Sequence, residues 1–174
     1  SFLRPTLTIE AAAFSESNAW LGESRTVVGN HVGYWREYAV TGGLEGALAL
    51  DEAGNLFGRV SGIGAGSQGL DAAGSNFDDE YPENLELEDA YLGWRSGKLF
   101  PSLDENALEL SVGKLAYAIG SGFLLRDGAS DGGRRGAYWI APRKAFYMTA
   151  VAKLQTGPYK VEGFYLKPND EAFT

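Results

Sequence analysis

Glu37-Tyr38-Ala39-Val40-Thr41-Gly42-Gly43-Leu44-Glu45-Gly46-Ala47-Leu48-Ala49-Leu50 alternates without a break. Tyr38, Val40, Leu44, Leu48 and Leu50 fall on one side, with Gly42 and Gly46 between them. Glu37, Ala39, Thr41, Gly43, Glu45, Ala47 and Ala49 fall on the other. A period of two belongs to a β-strand with two unlike faces, because successive side chains point to opposite sides of a sheet. The run covers about fourteen residues, well beyond the ~5–6 of a usual soluble strand, and it suits a strand crossing a bilayer at a tilt.

The same rhythm recurs on both sides of this stretch. Pro5 to Phe14 puts Leu7, Ile9, Ala11 and Ala13 opposite Thr8, Glu10 and Ala12. After the turn Asp51-Glu52-Ala53-Gly54-Asn55, Leu56 to Gly66 returns, with Arg59 and Ile63 on one side and the alternation poor. Leu85 to Arg95 splits Ala90, Leu92 and Trp94 from Asp89, Tyr91 and Arg95, and Leu108 to Lys114 alternates strictly. Arg143 to Gln155 and Tyr159 to Lys167 follow, joined by Thr156-Gly157-Pro158. Seven strands are therefore expected, with short and long connections roughly alternating after the second. A long connection, Gly120 to Gly136, is Gly-rich and carries Arg126, Arg134 and Arg135.

Composition narrows the classes. No stretch approaches the ~18 uninterrupted apolar residues that a spanning helix needs, whereas a β-barrel strand needs only one apolar face. Cysteine is absent, which excludes disulfides and thiolate metal sites. Residues 1–113 hold 6 basic and 18 acidic side chains, and residues 114–174 hold 9 basic and 5 acidic, within an overall charge of −8. The acidic first part argues against nucleic acid as a partner. Ser1, with no basic-then-apolar leader after it, reads as the start of a processed chain. No internal repeat or linker divides the sequence, so 1–174 is expected to be a single β domain.

A soluble sandwich or barrel that binds carbohydrate through exposed aromatics would also alternate, since one face would pack on a core. Strand length, small and charged residues opposite the apolar faces, and aromatics near strand ends favour lipid. Trp35, Tyr38, Trp94, Tyr138, Trp139, Tyr147 and Tyr159 are placed where a bilayer interface would hold their mixed character. The expected fold class is all-β, an antiparallel up-and-down transmembrane β-barrel.

Leu87-Glu88-Asp89-Ala90-Tyr91-Leu92-Gly93-Trp94, followed by Leu110-Ser111-Val112-Gly113-Lys114, resembles a signature of bacterial outer-membrane porins. There, an acidic–Ala–Tyr–aliphatic–Gly strand precedes one ending in Val-Gly-Arg-Gln; here Lys114 and Leu115 replace the Arg-Gln. Val161-Glu162-Gly163-Phe164-Tyr165-Leu166-Lys167-Pro168 resembles the Phe-Tyr-Leu-Arg-Pro strand end of the alginate-export family. The resemblance spans Leu85 to Asn169, and the first 84 residues match in strand rhythm alone. It implies a Gram-negative outer-membrane channel passing small or polymeric anionic solutes, such as acidic sugars, by diffusion. Its partners would be outer-membrane lipid and lipopolysaccharide, and no cofactor is implied. Because such barrels close with about sixteen to eighteen strands, these residues are expected to be the N-terminal part of a larger barrel.

The candidate selectivity residues are Lys114, Arg126, Arg134, Arg135, Arg143 and Lys144. A loop folded into a lumen narrows it, and charge between low-dielectric walls sets ion preference. Arginine forks suit carboxylates. Glu37, Glu45, Asp89 and Glu109 are the candidate acidic lumen residues. Asp78-Asp79-Glu80, with Asp71 and Glu83, fits no calcium loop and reads as a solvated acidic run. No Ser nucleophile accompanies the single histidine, His31, so neither a catalytic nor a metal site is assigned. Arg134→Glu combined with Arg135→Glu is expected to lower anion over cation permeability, read as a shift in reversal potential under a salt gradient. An unchanged potential removes the two arginines from selectivity.

Overall fold

The computed structural model describes residues 1–17, 32–70, 83–126, 136–137, 139–140, 144 and 146–169. Seven strands form one sheet: β1 (Phe2–Ser17), β2 (Val32–Ala49), β3 (Asn55–Leu70), β4 (Glu83–Arg95), β5 (Leu108–Lys114), β6 (Phe146–Thr156) and β7 (Tyr159–Pro168). They lie side by side in chain order, and every neighbouring pair is antiparallel. The sheet is open; within the described residues β1 and β7 are its two edges. A single 3-10 turn at Asp51–Ala53 is the only helical piece among those residues.

The register carries the sequence alternation across the sheet. Leu44 lies between Pro5 and Val60, and Val60 pairs with Ala90. One residue along, Glu45 lies between Arg4 and Arg59. Apolar residues thus line one face and polar residues the other. The apolar face is bare: Leu7 is 68% exposed and Leu44 47%, and Leu3, Ile9, Val40, Leu48, Val60, Leu92 and Val112 are exposed as well. On the polar face Glu37, Glu88 and Asp89 are buried. A side chain such as Leu contributes about 1.5–3 kcal/mol when it leaves water, and no layer of the described chain takes up that contribution here.

Two local departures place charge. The β3–β4 register slips at Ser61/Gly62, where Ser61 faces Asp89 and Gly62 faces Leu87. Glu88 is the additional residue of this bulge, so two consecutive acids are buried on the polar side. Ile63 shares the polar side with Arg59, which is why β3 alternates poorly in sequence. It packs with Ala39, Ala65 and Ala137, with Ile140 against them, in a small apolar cluster. The sixth strand starts at Phe146 rather than Arg143; Lys144 stands outside the ladder, its ammonium 3.3 Å from Asp89 on β4.

The short connections interlock along one rim. Trp94 Nε1–H donates to Ala53 O at 2.9 Å, Lys98 N–H to Glu52 O at 3.0 Å, and Gly157 N–H to Asp104 Oδ2 at 2.6 Å. Gly54 and Gly97 touch: a Cβ on Gly97, whose φ is +56°, would lie 2.5 Å from Gly54 Cα. Gly97→Ala therefore meets both a clash and a left-handed backbone. A loss of about 2 kcal/mol in urea-induced unfolding is expected; no change would mean that the rim turns move apart without penalty.

Candidate functional site

The polar face is concave, and it bounds a cavity of about 430 Å³ reached by side chains from six strands. Thr8 and Glu10 come from β1, Thr41 from β2, Arg59 from β3, Asp89 and Tyr91 from β4, Glu109 and Ser111 from β5, and Val151 and Lys153 from β6. Lys144 and Tyr117 close the wall from the β5–β6 connection.

Charge alternates along the hydrogen-bonding direction in two rows. In the first, Arg4 pairs with Glu45 and Glu45 faces Arg59, whose Nε lies 3.1 Å from Asp89. In the second, Arg95, Glu109, Lys153 and Glu162 are successive register partners. Arg95 Nε lies 2.6 Å and Lys153 Nζ 3.1 Å from the Glu109 carboxylate. Opposite charges directly across a strand pair attract, and register supplies every such pair here but Arg59–Asp89, which meets diagonally because Arg59 lies across from Tyr91 and Asp89 from Ser61. The Arg95 guanidinium also lies over the Phe57 ring, 4.6 Å from its centre. Phe57 occupies the space above its register partner Gly93, where a Cβ would meet the ring at 2.2 Å.

Asp89 is the hub of the first row. Besides Arg59 it meets Lys144 Nζ at 3.3 Å, accepts the Ser61 hydroxyl at 2.7 Å, and sits next to Glu88, which also faces Lys144. Beside the second row Tyr117 donates to Glu162 Oε2 at 3.0 Å. Desolvation and that bond push the Tyr117 phenol up to about 12, so it remains a donor at physiological pH.

Glu37 does something different. It is 1% exposed, and its carboxylate accepts the backbone N–H groups of Trp139 and Ile140, each at 2.9 Å, and Trp35 Nε1–H at 3.2 Å. Ser67, its register partner on β3, accepts Ala137 N–H at 2.6 Å. Trp139 lies against Trp35 and Phe14, with ring centres 5.6 and 6.2 Å away, and Phe14 stacks on Trp35 at 4.9 Å. Described residues of the β5–β6 connection therefore rest on the polar face. Trp35 and Trp139, placed from sequence at a bilayer interface, pack there against each other at a tilt of 39°.

The candidate residues separate accordingly. Glu45, Asp89, Glu109 and Lys144 join the charged rows, and Glu37 holds backbone. Lys114 does not reach the cavity. Its register partner is Ala90 on the apolar face, and its ammonium donates to Leu87 O at 2.6 Å. Lys114 is in phase with Leu108, Leu110 and Val112, so the alternation of its own strand and the register agree on its side. The Arg126 side chain is exposed beyond the strands, next to Gly122. Arg134, Arg135 and Arg143 lie outside the described residues, as do Asp71, Asp78, Asp79, Glu80, Tyr138 and His31. Lys153, a weaker candidate from sequence, also lines the cavity, and Arg59, Glu88, Tyr91 and Glu162 belong to the site though no sequence signal singled them out. Arg59 and Lys153 lie directly across from Glu45 and Glu109, whereas Tyr91 lies across from Arg59, Glu162 across from Lys153, and Glu88 is the unpaired residue of the bulge.

No family model, curated protein or solved structure matches this chain.

Removing the Asp89 charge leaves Arg59 and Lys144 facing each other with less to bind. Asp89→Asn is expected to cost about 3 kcal/mol in urea-induced unfolding, as for other enclosed pairs that lose one member. Lys98→Ala, which breaks the exposed pair with Glu105, should stay within about 0.5 kcal/mol. Equal effects of the two variants would show that the cavity charges are as well solvated as the surface pair.

Proposed function

We propose that this chain forms part of the wall of an outer-membrane β-barrel channel, its apolar face against lipid and its polar face toward a water-filled passage. The observation that carries the proposal is the inverted distribution of side chains: aliphatic residues bare on one face, and on the other buried carboxylates such as Glu88 and Asp89 paired with cations. In water this arrangement leaves a large apolar surface uncovered, whereas a bilayer covers it without any second protein layer. The resemblance of Leu87–Trp94, Leu110–Lys114 and Val161–Pro168 to porin and alginate-export strands points the same way.

Such a channel passes polar solutes by diffusion, with outer-membrane lipid and lipopolysaccharide around it. The charged side chains on the cavity wall include Arg59, Lys144 and Lys153 against Glu10, Glu88, Asp89 and Glu109. A preference for anionic solutes such as acidic sugars therefore rests on Arg134, Arg135 and Arg143. Closure needs partners for both sheet edges, because unpaired backbone groups are very unfavourable in lipid. β1 and β7 run in the same direction, so an odd number of further strands completes a fully antiparallel ring.

The alternative is a secreted soluble β-sandwich or barrel that binds carbohydrate. Its apolar face would need a covering layer, and none is present among the described residues. Two arginine substitutions separate the readings. With lipid on the apolar face, Leu44→Arg lowers the stability of the membrane-folded protein by about 2–4 kcal/mol near the midplane, while Thr41→Arg on the polar face changes it little. The parent protein also forms ion-conducting channels in planar bilayers and aggregates without detergent. A monomer that stays soluble without detergent and tolerates Leu44→Arg favours the carbohydrate-binding alternative.

A further inference from the structure

We propose that Glu37 is a positioning residue that latches Ala137, Trp139 and Ile140 onto the channel wall and so sets the width of the passage. The inference rests on the channel reading for its consequence, though not for its geometry. The Glu37 backbone belongs to the sheet, paired with Ala12 and Ser67. Its carboxylate serves another purpose. One oxygen takes the N–H groups of two consecutive residues, Trp139 and Ile140, from about a hundred positions further along the chain. The other oxygen takes Trp35 Nε1–H, which turns that indole toward Trp139.

The neighbouring contacts repeat the same attachment. Ser67 receives the Ala137 N–H, and Ala137, fully buried at φ +53°, packs against Ala39, Ile63 and Ala65. A non-glycine residue in the left-handed region persists when its surroundings hold it there. The segment thus has three backbone donors bound to two side chains on adjacent strands, plus a patch of apolar contact. Bonds from backbone N–H to an ionised carboxylate are stronger than those between neutral groups. Removing the carboxylate leaves two N–H groups without their acceptor and leaves the strand ladder intact. The released segment should then be populated roughly ten- to a hundredfold more often.

The test uses the absence of native cysteine. Ala137→Cys is introduced into the otherwise unchanged protein, folded in lipid, and its reaction with a bulky maleimide is timed. The thiol should be protected in the Glu37-containing protein and labelled roughly ten- to a hundredfold faster with Glu37→Ala. In planar bilayers Glu37→Ala should raise single-channel conductance and add fluctuation. A disulfide from Ser67→Cys with Ala137→Cys in the Glu37→Ala background should restore the parental conductance, a rescue that a general loss of folding would not permit. An unchanged labelling rate overturns the latch. So does loss of the compact, heat-resistant gel mobility in Glu37→Ala, since Glu37 would then support the whole sheet. Faster labelling with no conductance in any variant keeps the latch and rejects the channel. Conductance with unchanged labelling does the reverse.

Discussion

Carboxylates on one strand meeting cations on the next are what allow a single sheet to enclose charge without a second protein layer. Arg4, Glu45, Arg59 and Asp89 meet across four strands, and Arg95, Glu109, Lys153 and Glu162 across four more, counting β4 in both. An unpaired ion on a concave, half-enclosed surface is unfavourable, and the opposite strand removes that penalty with little reorganisation. The period of two then leaves the reverse face to carry the leucines, isoleucines and valines. Charge pairing on one face and bare aliphatic surface on the other are two consequences of one register.

That register also explains which irregularities matter. The β3–β4 bulge brings Glu88 beside Asp89, and these two acids gather Arg59 and Lys144. Ile63, an apolar residue among charged ones, sits where Ala137 and Ile140 rest on the wall. Both of these breaks mark places where the β5–β6 connection touches the sheet. At the opposite rim the turns hold one another through Trp94, Lys98 and Asp104. One end of the sheet is stapled by short turns, and the other is attached through a carboxylate.

Much of this was legible in the residues. The alternation from Glu37 to Leu50 assigned both faces of β2 correctly, and all seven strands were recognisable from similar runs. Glu45, Asp89 and Glu109 could be chosen because they oppose aliphatic neighbours within those runs. Two things could not be read. A bulge changes the phase of alternation without changing composition, so Glu88 looked like a residue of the opposite side. Aromatics at strand ends satisfy a bilayer interface and an inner stack equally well, and the direction of Trp35 is set by Glu37 and Trp139. The side of Lys114, by contrast, follows from its own strand, because it shares the parity of Leu108, Leu110 and Val112. Pairing between strands, unlike alternation within them, is a long-range property.

The central claim is that hydrocarbon covers the apolar face, and it can be measured directly. With no native cysteine to interfere, Val40, Thr41, Leu44, Glu45 and Leu48 can each be replaced in turn by a spin-labelled cysteine in lipid-folded protein. Their collision rates with oxygen and with a water-soluble nickel complex are then compared. Labels at 40, 44 and 48 should favour oxygen, and those at 41 and 45 should be more accessible to nickel than their neighbours. If 40, 44 and 48 collide freely with nickel, or with neither reagent, the face meets water or protein and the account fails.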